Sequence, residues 1–291
     1  MQERIRADNL CKRYGSLAAL DQASLVAYAG ECVGVFGPSG AGKSTLLRLL
    51  AGAEAPDSGN ISFADGRAGL SRQTPFIDGA LTSAEALWLY AALYEIPRGK
   101  RHAAVRETLT LVGLDSERNR RIGTLPSGSQ KLLEVALAVL SPSDLLLLDE
   151  PMAGLDFDTR QRVWEYVLRI RARERKTVVV ATARSEDAEL CDRIVLLHKG
   201  QVLAAGTVAQ LRSMVGPEAL VITPAKTQGT HARRGWAGIV GREQDGSLVV
   251  EMGPESRPVE LLREISDDIA AVRVSPRGLD SVLQELIARQ R

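Results

Sequence analysis

The amino-acid sequence predicts an α/β fold in which strands alternate with helices around a largely parallel sheet. The segment DLLLLDE (144–150) is apolar on both faces, which is typical of a strand buried inside a parallel sheet. Helical periodicity dominates from about 80 to 140, so this stretch is predicted to form a mostly helical insert. The composition changes near 214–217, and we therefore expect a larger domain at 1–215 and a small α+β domain at 216–291.

The core of the larger domain is predicted to begin with a strand, a loop and a helix. ECVGVFG (31–37) is a short apolar run that ends in glycine, and TLLRLLAG (45–52) has helical spacing closed by Gly52. Thr82 and Glu85 predict a capping box that opens the first helix of the insert, SAEALWLYAALYEI. The other predicted elements are an edge strand at 61–66, helices at 100–113, 128–140 and 157–175, and strands at 177–182, 193–197 and 201–205.

The smaller domain is predicted to mix short strands with helices. Its first strand candidates are ALVIT, WAGIVGRE and SLVVEM, and Asp245-Gly246 favours a hairpin turn between the last two. A helix is expected near 258–266, followed by the strand AAVRVSP and a final helix, LDSVLQELIARQ.

Composition and charge argue against several classes of function. The chain has 291 residues and a net charge of +1, so no bulk electrostatic attraction favours nucleic acid or a lipid surface. Cys11, Cys32 and Cys191 are far apart and have no CxxC spacing, so we expect reduced thiols in a cytoplasmic protein. The N-terminus lacks the apolar stretch of a signal peptide, and the apolar run Leu145–Leu148 is far shorter than the ~20 residues of a spanning helix. We therefore predict no nucleic-acid partner, and a membrane role only through another protein.

The stretch GPSGAGKST fits the phosphate-binding pattern G-x-x-x-x-G-K-[ST] and lies between a predicted strand and a predicted helix. Glycines let backbone N–H groups approach phosphates, and the helix start adds the positive end of its dipole. Lys43 supplies a charge for the β- and γ-phosphates, and Ser44 a hydroxyl for Mg²⁺. The predicted nucleotide site consists of Gly37, Pro38, Ser39, Gly40, Ala41, Gly42, Lys43, Ser44 and Thr45.

The segment LLLLDE supplies acidic groups that complement this loop. Asp149 ends the predicted buried strand and can hold Mg²⁺ through water, while Glu150 can polarise an attacking water. The alternative, a strand that simply ends in charge, does not account for the loop upstream.

The stretch between the two motifs resembles the signature region of ABC-transporter ATPases. LPSGSQKLLEVALAVLSPSDLLLLDEPMAGLD (125–156) follows the family order of an LSGGQ-like sequence, a helix, the acidic strand and a D-loop. The matching signature positions are Ser127, Gly128 and Gln130, and those that differ are Pro126 and Ser129. The resemblance covers about 3–215.

This resemblance implies a P-loop NTPase core of the ABC-ATPase type, with ATP and Mg²⁺ as cofactors. Asp156 matches the D-loop aspartate, and Tyr14 matches the aromatic residue that stacks on adenine, which needs only a π-face. Gln73 matches the Q-loop glutamine, which in the family senses the γ-phosphate and Mg²⁺ near the membrane subunit. The expected catalytic residues are therefore Glu150 and Gln73, and the expected metal-site residues are Ser44, Gln73 and Asp149.

The family mechanism also needs a second ATPase chain. Two chains pack head to tail in the family, and each signature helix caps the γ-phosphate that the other chain's P-loop holds. Ser127 is expected to begin a helix, so its hydroxyl and the neighbouring N–H groups would form an anion site. Ser129 would bring a side chain to a position where a glycine normally lets the backbone approach the phosphate.

One family residue is absent from the position where the alignment expects it. The family strand after the D-loop helix ends in Thr-His, and this switch histidine contacts the γ-phosphate and the attacking water. Aligned backward from CDRIVLL, Ala183 falls on the histidine position. The alternative is a slip of one residue, with Arg184 or another group reaching the phosphate; the three histidines of the chain (His102, His198 and His231) do not fit by position. We expect a chain that binds ATP but hydrolyses it slowly in its own site.

The leading hypothesis is the ATP-binding subunit of an ABC transporter, an exporter of the ABC-2 type. It would lie at the cytoplasmic face of the inner membrane, held by membrane-spanning permease subunits. The ending VRVSPRGLDSVLQELIAR loosely resembles the tail of ATPases that serve such exporters, with an unrelated regulatory or dimerising module as the alternative. The alternative function is a soluble ABC-type ATPase, or a nucleotide-gated subunit with negligible turnover.

Two partner surfaces follow from this hypothesis. Phe76, Leu81 and Trp88 are candidates for the permease contact, although the same residues also suit the core of the insert. A heterodimer with a second ATPase that has its histidine is favoured over a homodimer, because only the heterodimer would contain a competent site.

Overall fold

The structure is a computed structural model that describes residues 2–64, 69–71, 78–215, 217–224, 242–244, 247–252 and 269–290. The chain divides into two compact units, 1–205 and 206–291. Residues 206–215, which the sequence analysis assigned to the larger domain, belong to the second unit in this division. Within the described residues, we find no helix with the length and apolar character needed to cross a membrane.

Strands and helices alternate along the first unit. Its strands are β1 (Glu3–Tyr14), β2 (Leu17–Tyr28), β3 (Cys32–Phe36), β4 (Ser58–Phe63), β5 (Gly69–Ser71), β6 (Leu145–Asp149), β7 (Thr177–Thr182), β8 (Arg193–His198) and β9 (Gln201–Gly206). Its helices are α1 (Lys43–Leu50), α2 (Ser83–Leu93), α3 (Arg98–Val112), α4 (Ser127–Val139), α5 (Phe157–Glu174) and α6 (Ser185–Ala188). The strands and helices predicted between 31 and 205 are all present, with ends that differ by a few residues.

A six-stranded sheet with the order β5-β6-β7-β3-β8-β9 forms the centre of this unit. β3 pairs in parallel with β7 and β8, and β6 pairs in parallel with β5 and β7. Every residue of β3, β6 and β7 is buried, which confirms the predicted buried strands. Because parallel strands end at the same edge, the segments after these three strands meet there, and ligands of such sheets bind at that edge.

A second, antiparallel sheet has the order β2-β1-β4. The sequence analysis predicted β4 as an edge strand but predicted neither β1 nor β2. These two strands are joined by the turn Gly15-Ser16, where Gly15 has a φ of +60°. Their pairing shifts register between Ala7 and Leu10 and again before Arg13, and such bulges interrupt the alternation that identifies a strand. The available signal was the Gly-Ser pair between two partly apolar runs.

The predicted helical insert consists of α2, α3 and α4. α2 begins with the predicted capping box, in which the Glu85 N–H donates to Thr82 Oγ1 at 3.2 Å and the Thr82 N–H donates to Glu85 Oε2 at 2.7 Å. α4 is closed by Lys176, whose buried ammonium donates to the carbonyls of Val139 and Ser141 at 3.1 and 2.9 Å. Because Lys176 directly precedes β7, this contact fixes the far end of α4 to the central sheet.

The second unit has mixed α and β content, in agreement with the predicted α+β domain. Its elements are α7 (Val208–Ser213), β10 (Pro217–Pro224), β11 (Arg242–Gln244), β12 (Ser247–Glu251), β13 (Ile269–Pro276) and α8 (Leu279–Ala288), with the antiparallel sheet order β11-β12-β10-β13. Gln244 lies opposite Ser247, as a hairpin requires. The turn Asp245-Gly246, the helix predicted near 258–266 and most of WAGIVGRE lie outside the described residues.

Candidate functional site

The phosphate loop connects β3 to α1, and its glycines are required by close contacts. A Cβ on Gly37 would lie 2.1 Å from the Leu197 carbonyl oxygen, and one on Gly42 would lie 2.4 Å from the Ala19 carbonyl oxygen. Gly40 and Gly42 also have φ values of +77° and +106°, which L-residues with a side chain rarely adopt. The loop therefore has the compact backbone that lets N–H groups approach phosphate oxygens.

Lys43 is the first residue of α1, and its ammonium lies inside the loop. The Lys43 side chain is only 6% exposed, and its Nζ donates to the carbonyls of Gly37 at 2.8 Å and Pro38 at 3.1 Å. Nζ also lies 3.1 Å from Glu150 Oε1. The structure thus brings the predicted loop cation and the predicted general base into direct contact.

Asp149, the last residue of β6, has the surroundings of a metal ligand. Its carboxylate is buried, and Oδ1 has no hydrogen-bond partner. Burial raises the pKa of Asp149, whereas a hydrogen bond from the Ser44 side chain opposes that rise. A hydroxyl beside an unpaired carboxylate oxygen suits Mg²⁺, which is usually held by one or two protein oxygens, substrate phosphates and water. The described residues contain no cluster of three or more acidic, histidine or cysteine side chains that could hold a metal by themselves.

Glu150 adopts a strained backbone conformation next to the end of β7. Its φ is +48°, and its N–H donates to the Ala181 carbonyl at 3.0 Å. The Ala183 N–H donates to Glu150 Oε2 at 3.3 Å, so position 183 lies beside the carboxylate. The Arg184 side chain is instead paired with Glu186 at 3.6 Å and with Asp187. Residue 183 thus brings a backbone N–H and a methyl group to the site.

Tyr14 lies at the end of β1, close to the phosphate loop. The residue is 42% exposed, and its hydroxyl donates to the Glu54 carboxylate and interacts with the Thr45 side chain. Burial of the hydroxyl and this bond to Glu54 raise the pKa of Tyr14. Glu54 could not be predicted from the sequence, because its contact with Tyr14 joins residues forty positions apart.

The signature segment forms the N-terminal end of α4. Pro126 occupies the N-cap position and Ser127 is the first helical residue, exposed and with no side chain capping the helix. Gln130 fixes the approach to the helix, because its Nε2 donates to the carbonyls of Ile122 at 3.1 Å and Leu125 at 3.0 Å. Ser129 follows within the first turn and is half-buried.

The signature helix contacts the start of α5 at Gly128. A Cβ on Gly128 would lie 2.7 Å from Thr159 Cγ2, so this position tolerates no side chain without a shift. Asp156 is the N-cap of α5, accepting from the Thr159 N–H and the Thr159 hydroxyl, each at 2.9 Å. These two bonds lower the pKa of Asp156. Thr159, which the sequence analysis did not select, therefore joins the D-loop to the signature.

The remaining predicted residues fall in three places. Gln73 and Phe76 lie outside the described residues. Leu81 is partly buried and packs against the hydrophobic core of the insert, as the alternative interpretation proposed. Trp88 is 37% exposed on α2, with the Arg101 guanidinium 5.3 Å from its ring centroid.

β3 leads into this loop, and β6 ends in Asp149 with Glu150 directly after it; both strands belong to one sheet, with β7 between them. This arrangement defines a P-loop nucleotide-binding ATPase. Residues 20–153 match the model of the family described as ABC transporter. A protein from Burkholderia lata is 33% identical to this chain, with 74% of each chain covered. The chain therefore belongs to the ABC transporter family, as an ATP-binding subunit and ABC-type ATPase.

Two similar proteins carry the name of an export ATP-binding protein. The chain is 33% identical over 227 residues to the Nod factor export ATP-binding protein I of Burkholderia lata, covering 74% of each chain. It is 33% identical over 219 residues to the protein of that name from Paraburkholderia xenovorans, covering 71% of this chain and 72% of the relative.

Solved structures show the same fold. A structure described as the ATP-binding subunit of an ABC transporter has a TM-score of 0.65 and 26% identity, with 72% of this chain and 92% of that chain covered. A dimeric bacterial ABC transporter cassette has a TM-score of 0.64 and 24% identity, with 70% and 98% covered, and it supports the fold alone.

Proposed function

We propose that this chain is the ATP-binding subunit of an ABC exporter that binds Mg·ATP tightly and hydrolyses it slowly in its own site. Export is suggested by the names of its relatives, which are export ATP-binding proteins. Slow hydrolysis is suggested by one observation above all: residue 183 lies beside Glu150 and offers no side chain able to transfer a proton.

The proposed roles follow from the contacts within the site. The loop N–H groups and the Lys43 ammonium bind the β- and γ-phosphates, and α1 adds its positive dipole end. Ser44 and Asp149 hold Mg²⁺, which when bound neutralises phosphate charge. Glu150 accepts hydrogen bonds from an attacking water and is itself oriented by Lys43 and by the Ala183 N–H. Gln73 is retained in the proposal as a sensor of the γ-phosphate.

A second ATPase chain completes the proposed machine. The uncapped start of α4 is exposed at Ser127, where N–H groups and a hydroxyl can bind an anion that another chain presents. A partner with a histidine at the position of Ala183 would then give one competent site, facing the signature of this chain. We favour this heterodimer over a homodimer, in which both sites would lack the histidine.

The permease is proposed to contact α2, which carries apolar side chains on its exposed face as well as on its buried face. Ala86, Leu87 and Ala91 are buried against the insert core, whereas Trp88 and Leu93 face solvent, Leu93 with 66% of its surface exposed. Exposed apolar side chains on one helix are typical of a surface that another protein covers. The chain would thereby be held at the cytoplasmic face of the inner membrane.

Affinity purification from membranes tests this assignment. We expect the wild-type chain to co-purify with a multi-spanning membrane protein, and Leu93→Glu to lose it while retaining ATP binding. Leu168→Glu, at an exposed position on α5, is the matched control that should keep the partner. Recovery of the wild-type chain with no membrane protein would favour the alternative function, a soluble ABC-type ATPase. Two copies of this chain and no other ATPase in an active complex would exclude the heterodimer.

A further inference from the structure

The Tyr14 ring, which the family resemblance assigns to adenine, is held by Glu54, a residue outside the ATPase motifs, as well as by Thr45 of the phosphate-binding motif. The Tyr14 hydroxyl donates to Glu54 Oε2, and Glu54 Oε1 lies 3.2 Å from Arg48 Nε. Arg48 Nη2 in turn donates to Thr45 Oγ1 at 3.4 Å, in the first turn of α1. A continuous chain of contacts thus runs from the tyrosine ring to the helix start that follows the phosphate loop.

The other surroundings of the ring are also fixed. The Lys12 ammonium lies 5.9 Å from the Tyr14 ring centroid and is itself held by the Ala55 carbonyl at 2.6 Å and by Asp57 Oδ1 at 3.1 Å. Glu54, Ala55 and Asp57 all belong to the segment that follows α1. This segment therefore anchors both the hydroxyl of the ring and the cation near it.

Base stacking alone does not require these contacts. A π-face is sufficient, and phenylalanine or tryptophan would present one without a hydroxyl. An exposed aromatic side chain at the end of a strand would otherwise sample several rotamers, and fixing it on binding would reduce the affinity. A hydroxyl tied to Glu54 removes that cost before the nucleotide arrives.

We infer that Glu54, supported by Arg48, is a positioning residue that holds the Tyr14 ring in the orientation that stacks on the nucleotide base. The inference rests on the proposed role of Tyr14. Arg48 on α1 and Glu54 after it would thus order the part of the site that binds the base. The loop would bind the phosphates. The phosphate and base sides of the site can then be disturbed separately.

Calorimetry of the full chain with two probes tests this separation. Mg·ATP contacts both sides of the site, whereas Mg·tripolyphosphate has no base and contacts only the loop. Glu54→Ala and Tyr14→Phe should weaken Mg·ATP binding about three- to tenfold, the cost of immobilising one free side chain. Both variants should leave tripolyphosphate affinity within about twofold. Glu54→Gln keeps an acceptor for the tyrosine hydroxyl and should restore most of the ATP affinity.

Two controls make the result decisive. Glu3, like Glu54, is a carboxylate that pairs with an arginine, in this case Arg6 on β1. Glu3→Ala should change neither the ATP affinity nor the tripolyphosphate affinity. Tyr14→Ala must weaken ATP binding and leave tripolyphosphate binding unchanged. If it does not, the assignment of Tyr14 to the base is wrong, and so is the inference about Glu54. If Tyr14→Ala behaves as expected but Glu54→Ala changes nothing, or weakens both probes equally, only the positioning role is overturned.

Discussion

The phosphate loop and the end of β7 face the same site but contribute very different chemical groups to it. In the loop, close contacts require two glycines, and the Lys43 ammonium is buried between two carbonyls and Glu150. At the end of β7, residue 183 provides a main-chain N–H and a methyl group. In the proposed function, binding depends on the loop after β3, whereas turnover also depends on the residues that follow β6 and β7. A change at the end of β7 would then slow hydrolysis and leave nucleotide binding intact.

The largest expected effect comes from placing a histidine at position 183, where the proposed function lacks a proton-transfer group. Ala183→His places an imidazole beside Glu150, and positioned proton-transfer groups typically contribute ~10²–10⁴-fold to a rate. We expect the steady-state rate of ATP hydrolysis, measured as phosphate release, to increase over the wild-type rate by up to ~10²–10⁴-fold. Ala183→Asn adds a side chain of similar reach with no titratable group and is the control. Equal rates in both variants would show that the histidine position is not the limiting feature.

A smaller effect is expected at the loop. Lys43→Ala removes the cation inside the loop, so ATP affinity should fall by at least about tenfold, or roughly 1.4 kcal/mol. Lys100→Ala, at an exposed position of the insert, should leave the affinity unchanged. If calorimetry finds the wild-type ATP affinity in the Lys43 variant, the loop does not bind the nucleotide in the way proposed.

The smallest effect concerns the free energy of unfolding. Burial raises the pKa of Asp149, so the native state binds its proton more tightly than the unfolded chain, and the ionised carboxylate costs stability above the unfolded pKa of about 3.9. Asp149→Asn should therefore stabilise the nucleotide-free chain by about 1 kcal/mol near pH 7. The gain should shrink as the pH falls through the raised native pKa, and it should disappear below the unfolded pKa of about 3.9, where both states are protonated. A destabilised variant at pH 7 would mean that the carboxylate is better solvated than its surroundings indicate.

Sequence patterns predicted the parts of this fold that local chemistry determines. The apolar run before Asp149, the Thr82 capping box and the loop before Lys43 each have a local signature. β1 was missed because its bulges interrupt the alternation of buried and exposed residues. The contact between Tyr14 and Glu54 was missed for a different reason, since it depends on the packing of segments distant in sequence.

A single-turnover experiment tests the central claim most directly. The purified wild-type chain is mixed with a substoichiometric amount of labelled Mg·ATP, and bound ATP and released phosphate are followed in the same sample. The account predicts that the label binds to the chain and remains ATP for much longer than binding takes, with Lys43→Ala failing to bind it. Rapid conversion to phosphate by the wild-type chain alone, abolished by Glu150→Gln, would contradict the account and show that another group does the work of the missing histidine.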